Sequence, residues 1–569
     1  MSKKGRHANE APIRYPAETA GLNAFDLDRN LRRLLARRAP QVLARHEERL
    51  SDFGAWVGGA LEAQAVYSDR FAPPRLETHG RDGAPLGRVI YNPAYETCHR
   101  EAYRRGAIGL AFGKDAAPHL LSFTMGYLLS TADISIHCPV TMTGALAYVL
   151  SRVAPPAVRK TYLPELIRMD GAALSGGTWA TEVHGGSDVG ATATEAVADG
   201  TAWRLTGLKW FASNAGCGLA FATARPRGAA AGGKGLGCYL VPATLADGTP
   251  NALWIRRLKD KLGTRGLATA EVELHGAWAQ QVAPPPEGLK AMMEALEYSR
   301  IHNAVAACAV QRRAFLEAVC WASHRQAFGA VIGGTPMVRD TLLDLVAELE
   351  ANTGLAFEAA AVFDGALADE AERPWLRTVT ALAKFRTAEY GVRAATRAVE
   401  LVGGNGYTED WPTARLYRDA LVLSVWEGPV NIQALELLRM VIGKTRGDTL
   451  FLARVDGILA NLPERLAARA VPVFTARDRC AAALAYLRQQ PDDGPRHAKH
   501  LLEAMADCLG AALLLEEAAA DLAHGDARKA LVAERFIALR FGGSPTIGPA
   551  RDPAHAAFEH IVGYGTIAA

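Results

Sequence analysis

A single carboxylate, Glu427, stands among apolar neighbours: Leu421, Val422, Leu423, Val425 and Trp426 precede it, and Val430 and Ile432 follow. Such surroundings disfavour a charged side chain and raise a carboxyl pKa, which suits a general base. The plain alternative is a charge at a helix start, favoured there by the helix dipole. A second stretch offers binding chemistry. Residues 178–188 read Thr-Trp-Ala-Thr-Glu-Val-His-Gly-Gly-Ser-Asp. The small residues let a ligand approach the main chain, and Thr181 and Ser187 add hydroxyls. A planar heterocycle can be held by such groups; a Gly-rich turn is the other reading. The run Gly403-Gly404-Asn405-Gly406-Tyr407 is not a G-x-G-x-x-G and follows no expected strand, which excludes a dinucleotide-binding turn.

These residues need elements to position them. Residues 1–25, with Pro12, Pro16 and Gly21, read as an irregular arm. From 27 to 50 the pattern is helical, and Arg29, Arg32, Arg33, Arg37, Arg38, Arg45 and Arg49 recur at helical spacing. No aromatic residue interleaves with them, and Glu47 and Glu48 break the run. They therefore read as a solvated helix face rather than a nucleic-acid patch. Further helices are expected at 52–66, 93–110, 115–133, 141–152 and 156–168. Alternation then replaces the 3.6-residue period. Segments 192–197 and 202–205, joined by Asp199-Gly200, read as a β-hairpin. Strands are also expected at 219–224, 237–241 and 268–274. From 288 long Ala/Leu-rich helices return at 288–327, 336–368, 375–402 and 429–442, as in a four-helix bundle. Helices at 449–470, 475–489, 495–523 and 527–540 follow, then a Gly/Pro-rich tail. The expected fold class is α+β, mainly α. Its parts are an N-terminal arm and helical domain (1–172), an antiparallel β-barrel (173–286), a C-terminal four-helix bundle (287–443) and an extra helical domain (444–569).

Composition narrows the function classes. The chain has 569 residues, 49% hydrophobic and 22% charged, as in soluble globular proteins. A net charge of +3 gives no general pull toward nucleic acid or anionic membrane. The eight cysteines form no CxxC or Cys/His cluster, which points to no metal site and to a reduced cytoplasmic protein. The polar N-terminus has no apolar stretch of a secretory signal. The longest uncharged run, 134–151, reads as a buried helix or loop and not a membrane span.

At these positions the sequence resembles the acyl-CoA dehydrogenase flavoprotein family. Thr181-Glu182-Val183-His184-Gly185-Gly186-Ser187-Asp188 is similar to the family's T-E-P-x-x-G-S-D box, with Val183 for Pro. Lys209-Trp210-Phe211-Ala212-Ser213-Asn214 resembles K-x-W-I-T-N, and Asp260 to Gly266 resembles a loop of the β domain. Arg325-x-x-Phe328-Gly329 resembles R-x-x-F-G, and Leu401 to Tyr407 resembles L-G-G-x-G-[YF]. Trp426-Glu427-Gly428 falls where the family has Y-E-G with its catalytic Glu. Cys138 to Thr143, Arg257 to Gly263 and the helical C-terminal addition narrow the likeness to the AidB-like subfamily.

The resemblance implies a function and a site. Glu427 would take the α-proton of an acyl-CoA or other acyl thioester, and FAD would accept hydride from the β-carbon. FAD contacts would come from Thr178, Thr181, Gly186, Ser187, Phe211, Ser213, Trp426, Gly428 and Asn431. Arg325, Phe328, Gly403 and Gly404 would reach the FAD of a neighbouring subunit in a homotetramer. The electron acceptor would be an electron-transfer flavoprotein, or O2 in an oxidase. The subfamily is also associated with DNA binding and alkylation damage, so a DNA-binding protein with vestigial catalysis is the alternative. Residues 444–569 hold equal numbers of basic and acidic side chains, whereas counterion-driven DNA binding needs clustered positive charge. Two departures stand out: Pro429 replaces the family's Thr or Ser, and Leu267-Ala268-Thr269-Ala270 keeps only the Thr of S-x-T-x.

Overall fold

Proline sets the start of helix after helix. In this computed structural model Pro93, Pro156, Pro336 and Pro412 each begin a helix, where the missing N–H breaks no bond and the fixed φ suits the turn. The structure describes residues 10–443, 445–543 and 552–569. The polar stretch 1–9 and the tail residues 544–551 lie outside the described residues. The chain forms two compact units, one of Trp56–His302 and one of Met1–Ala55 with Asn303–Ala569.

The first unit holds the larger sheets. Glu195–Asp199 pairs with Ala202–Ser213, which pairs with Thr269–Ala283, then Gly237–Pro242, then Leu219–Pro226, all antiparallel. A short parallel pairing of Leu219–Pro226 with Glu195–Asp199 closes the ring. Its interior is filled by Leu205, Ala222, Val241, Val272 and Ala277, all buried. The all-antiparallel expectation is corrected twice, because Gly176–Trp179 also joins Leu219–Pro226 in parallel. The hairpin turn lies one residue later than expected. Asp199 pairs with Ala202, so Gly200-Thr201 makes the turn, with Gly200 at φ 60°. Strand Gly176–Trp179, the hairpin Arg75–His79 with Pro85–Ile90, and strand Leu253–Leu258 were not anticipated. Ile134–Val153 is one helix, buried on nearly every side. It is apolar and long enough to cross a membrane, but it is a core helix of this unit.

The second unit is helical. Pro336–Ala368 and Arg373–Val402 are its long central helices. Helix Pro412–Val425 was not expected. The expected pair at 449–470 and 475–489 is instead Gly447–Ala460 and Glu464–Gln489, broken at 461–463. The solvated-arginine reading is corrected too. Arg45 and Arg49 are exposed, but Arg33 is buried against Asp526, Arg37 pairs with Glu517 and Asp521, and Arg38 pairs with Glu358. Those carboxylates lie far along the chain, so the helix Arg29–Arg38 turns its charge into the protein.

Candidate active site

Glu427 sits between helices, not at the start of one. Helix Pro412–Val425 ends where Trp426 N donates to Val422 O at 3.0 Å. Glu427 and Gly428 then both take left-handed backbone, with φ of 56° and 95°. Glycine tolerates this freely. A glutamate held so costs roughly 1–3 kcal/mol, and such strain gathers at functional sites. Pro429 caps helix Val430–Val441, its carbonyl accepting from Ile432 N at 2.8 Å and Gln433 N at 3.1 Å. Buried side chains hold this turn. Gln433 Nε2 lies 3.0 Å from the carbonyl oxygens of both Glu427 and Gly428. Lys384 Nζ donates to Gly428 O at 2.8 Å, and Asn303 Nδ2 to Leu423 O at 3.1 Å. Sequence reading did not select Gln433, Lys384 or Asn303; the signal for Gln433 is its place one turn into the helix after Pro429. Glu427 is half-buried, Asn431 is exposed, and the Trp426 indole N–H is buried without a hydrogen-bond partner.

The strand-rich unit gathers Thr178, Thr181, Gly186, Ser187, Phe211 and Ser213 on one sheet and its adjoining loop. Thr178 lies on strand Gly176–Trp179, and its hydroxyl is buried without a hydrogen-bond partner. Thr181 O accepts from Trp210 N at 3.0 Å, which ties the loop to the next strand. A Cβ on Gly186 would lie 2.5 Å from Thr181 Oγ1, so a larger residue here would have to displace the Thr181 side chain. Ser187 is exposed.

Glu182 anchors the loop from below. Its carboxylate accepts from Lys209 Nζ at 2.7 Å, from Ala193 N at 2.7 Å and from the Thr194 hydroxyl. Burial pushes the Glu182 carboxyl up, but the Lys209 ammonium and these donors outweigh it and hold the carboxyl below its usual value. A β-bulge follows: Lys209 pairs with Val272 and Ala212 with Ala270, so Ala202–Ser213 carries one extra residue. The bulge leaves Phe211 54% exposed beside buried Ala212. Lys259 Nζ sits 3.5 Å from the centre of the Trp210 ring. Ser213 Oγ is 3.0 Å from Thr269 Oγ1.

The remaining expected residues lie on exposed loops of the helical unit. Gln326–Ala327 and Ala330–Val331 form a minimal hairpin. Its turn, Phe328-Gly329, has φ of 51° and 78°, both left-handed as a tight two-residue hairpin requires. Phe328 is fully exposed at the tip, and Arg325 lies over Trp321 at the base. Gly403 and Gly404 are exposed where helix Arg373–Val402 ends. Trp321 meets Trp411 edge-on at 5.0 Å, and Thr413 Oγ1 donates to Gly406 O. The two loops are thereby neighbours. Among the described residues one group has metal-ligand spacing, Asp340, Asp552 and His555. Its carboxylates already bind the Arg535 guanidinium.

Three family models match the chain. They are the N-terminal domain of the adaptive response protein AidB over residues 15–170, the acyl-CoA dehydrogenase middle domain over 177–277 and the acyl-CoA dehydrogenase C-terminal domain over 286–442. AidB of Escherichia coli strain K12 is 33% identical over 414 residues, covering 70% of this chain and 75% of its own length. Acyl-CoA dehydrogenase family member 11 of Caenorhabditis elegans is 30% identical over 451 residues, covering 76% and 72%. The crystal structure of Caenorhabditis elegans ACDH-11 in complex with C11-CoA superposes with a TM-score of 0.86 at 26% identity, covering 99% of this chain and 97% of that one. Butyryl-CoA dehydrogenase from Megasphaera elsdenii shares the fold, at a TM-score of 0.56 and 23% identity over 61% of this chain and 89% of its own.

Proposed function

The chain belongs to the acyl-CoA dehydrogenase family, and we propose that it removes hydrogen from the α and β carbons of an acyl-CoA thioester with Glu427 as base and FAD as hydride acceptor. The observation that carries this reading is the Glu427 turn itself: a carboxylate on strained, left-handed backbone between two helices. The fit to FAD is supported by the strand-rich unit. An unpartnered buried hydroxyl at Thr178 and an exposed aromatic ring on a bulge at Phe211 match a planar ring with polar edges. When bound, FAD supplies the ring nitrogen that takes hydride, chemistry that no side chain offers.

The side chains do the rest. Phe211 would pack on the ring, and Thr178, Thr181, Ser187 and Ser213 would bond the ring and phosphates. Gly186 leaves room for the main chain to approach. Glu427 would take the α-proton; Trp426 and Gly428 form the turn that carries it, and Asn431 would contact the cofactor. Arg325, Phe328, Gly403 and Gly404 serve the FAD of a neighbouring subunit, in a homotetramer. The acyl-CoA substrate is supported by the Caenorhabditis elegans relative, whose structure holds C11-CoA. An electron-transfer flavoprotein or O2 takes the electrons onward. The eight cysteines are free and buried, which suits the reducing cytoplasm.

The test is an anaerobic panel of acyl-CoA esters followed by flavin absorbance. Bleaching by one chain-length class is expected, and Glu427→Gln slows it by about 10²–10⁴-fold. Undiminished bleaching in that variant would refute the base assignment.

A further inference from the structure

We propose that Gln433 is a positioning residue for proton abstraction: its carboxamide, seconded by Lys384, holds the left-handed turn that aims Glu427. The inference rests on Glu427 being the base. Two successive residues with positive φ make the turn, and a glutamate does not adopt that conformation unaided. The Gln433 side chain is fully buried. Its one nitrogen has two hydrogens, and the two acceptors within reach are the carbonyls of Glu427 and Gly428, each at 3.0 Å. Both neighbours being acceptors, the nitrogen is fixed as the group that faces them. One amide thus bridges the carbonyls on either side of the Gly428 nitrogen, and their relative direction defines the turn.

Lys384, on helix Arg373–Val402, adds a second donor to Gly428 O. The next residue, Pro429, has no N–H, so side chains supply donors at a place where the main chain has none. The Gln433 oxygen, meanwhile, is buried without a hydrogen-bond partner. Leaving a polar atom so costs stability. A methionine of the same length would avoid that cost, so the amide is kept for what its nitrogen does.

Two variants test this. Gln433→Met keeps length and volume but removes the donor. It is expected to retain flavin and to bind a 3-thia-acyl-CoA as wild type does. That probe has no β-hydrogen to lose as hydride, so exchange of its α-hydrogen with D2O reports the base alone. The exchange rate and kcat are both expected to fall about 10²-fold, as misplacement of a reacting group by an ångström does. Gln433→Glu carries the test should the methionine variant lose its flavin. Its carboxyl can donate while protonated and turns repulsive toward two carbonyls once ionised. A new loss of exchange as pH rises, absent from wild type, is expected.

Wild-type exchange in Gln433→Met overturns the proposal, as does a Gln433→Glu profile parallel to wild type. If Glu427→Gln exchanges as fast as wild type, the base assignment itself has failed and this inference falls with it. That pattern is distinct from a wild-type rate in the Gln433 variants alone.

Discussion

The Thr178 hydroxyl and the Lys209 side chain are both buried in the strand-rich unit, and their substitution should shift stability in opposite directions. The Thr178 hydroxyl has no partner, and a buried group left so costs about 1–3 kcal/mol. Thr178→Val keeps the shape and removes the group. The flavin-free protein should melt higher, while FAD dissociates more readily, by roughly a factor of ten for each 1.4 kcal/mol of lost bonding. A fall in both would mean that the hydroxyl serves the fold. Lys209 is the reverse case. Its ammonium, fully buried, meets Glu182 at 2.7 Å. Lys209→Met strands the carboxylate and should cost about 3–5 kcal/mol in urea unfolding; adding Glu182→Gln should restore much of it. Glu427 shows how far one residue can be read. Its apolar setting was legible in the sequence. Its left-handed backbone was not, because part of the restraint comes from Lys384, 44 residues before Gly428, and no local pattern reports it.

At the scale of elements, helices His119–Ala132 and Ile134–Val153 pack a polar seam against the start of Gly288–His324. His137 Nε2 lies 3.0 Å from His302 Nδ1, and His137 Nδ1 lies 2.8 Å from Ser130 Oγ. Two imidazoles so placed share one hydrogen as long as they are not both protonated. Burial lowers the His137 pKa to about 3 and drives that of His302 well below its usual value. The unfolded chain therefore binds protons that the folded unit refuses, and stability falls as pH drops from about 6.5 toward 3. Urea midpoints across that range should decline, and the slope should flatten in His137→Asn/His302→Gln. A flat wild-type profile would contradict the neutral pair.

Elements were unevenly legible. Pro336–Ala368 was read to both ends, because Thr335-Pro336 marks the start and its period is unbroken. Helix Pro412–Val425 was lost behind the glycines of 403–406, which read as loop. Strand Arg75–His79, Arg-Leu-Glu-Thr-His, shows too little apolar alternation to declare itself. Periodicity reports which side of an element is distinctive, not what faces it. So the arginines of Arg29–Arg38 passed for solvated while Arg33 and Arg37 met carboxylates 493 and 480 residues away.

At the scale of the whole molecule, the helical unit is fastened by its two ends. Ile13 N donates to Gly563 O at 2.7 Å, Thr566 N to Glu10 O at 2.9 Å and Tyr15 Oη to Val562 O at 2.9 Å. Tyr564, fully buried, lies under Arg528 at 4.2 Å. Deleting residues 563–569 should leave helix Arg528–Phe541 open to protease while Trp56–His302 stays resistant; equal resistance in both would show the fastening to be idle. The same unit has an acid limit. Burial pushes the Glu350 carboxyl up, yet Arg528 and Lys529 hold it down to about 2. Its contribution is complete above about 4.5 and is lost as pH falls toward 2, so a late acid transition of the helical unit is expected.

The fastening also sets a timetable for synthesis. Residues 1–55 belong to a unit whose remainder begins at Asn303, and the carboxylates that receive Arg33 and Arg37 come only at 517–526. At about 5–20 residues added per second, the arginine helix leaves the ribosome roughly 25–100 s before those partners exist. In that interval every residue of Trp56–His302 is made, while the first helix waits as a short cationic segment without the carboxylates that receive it.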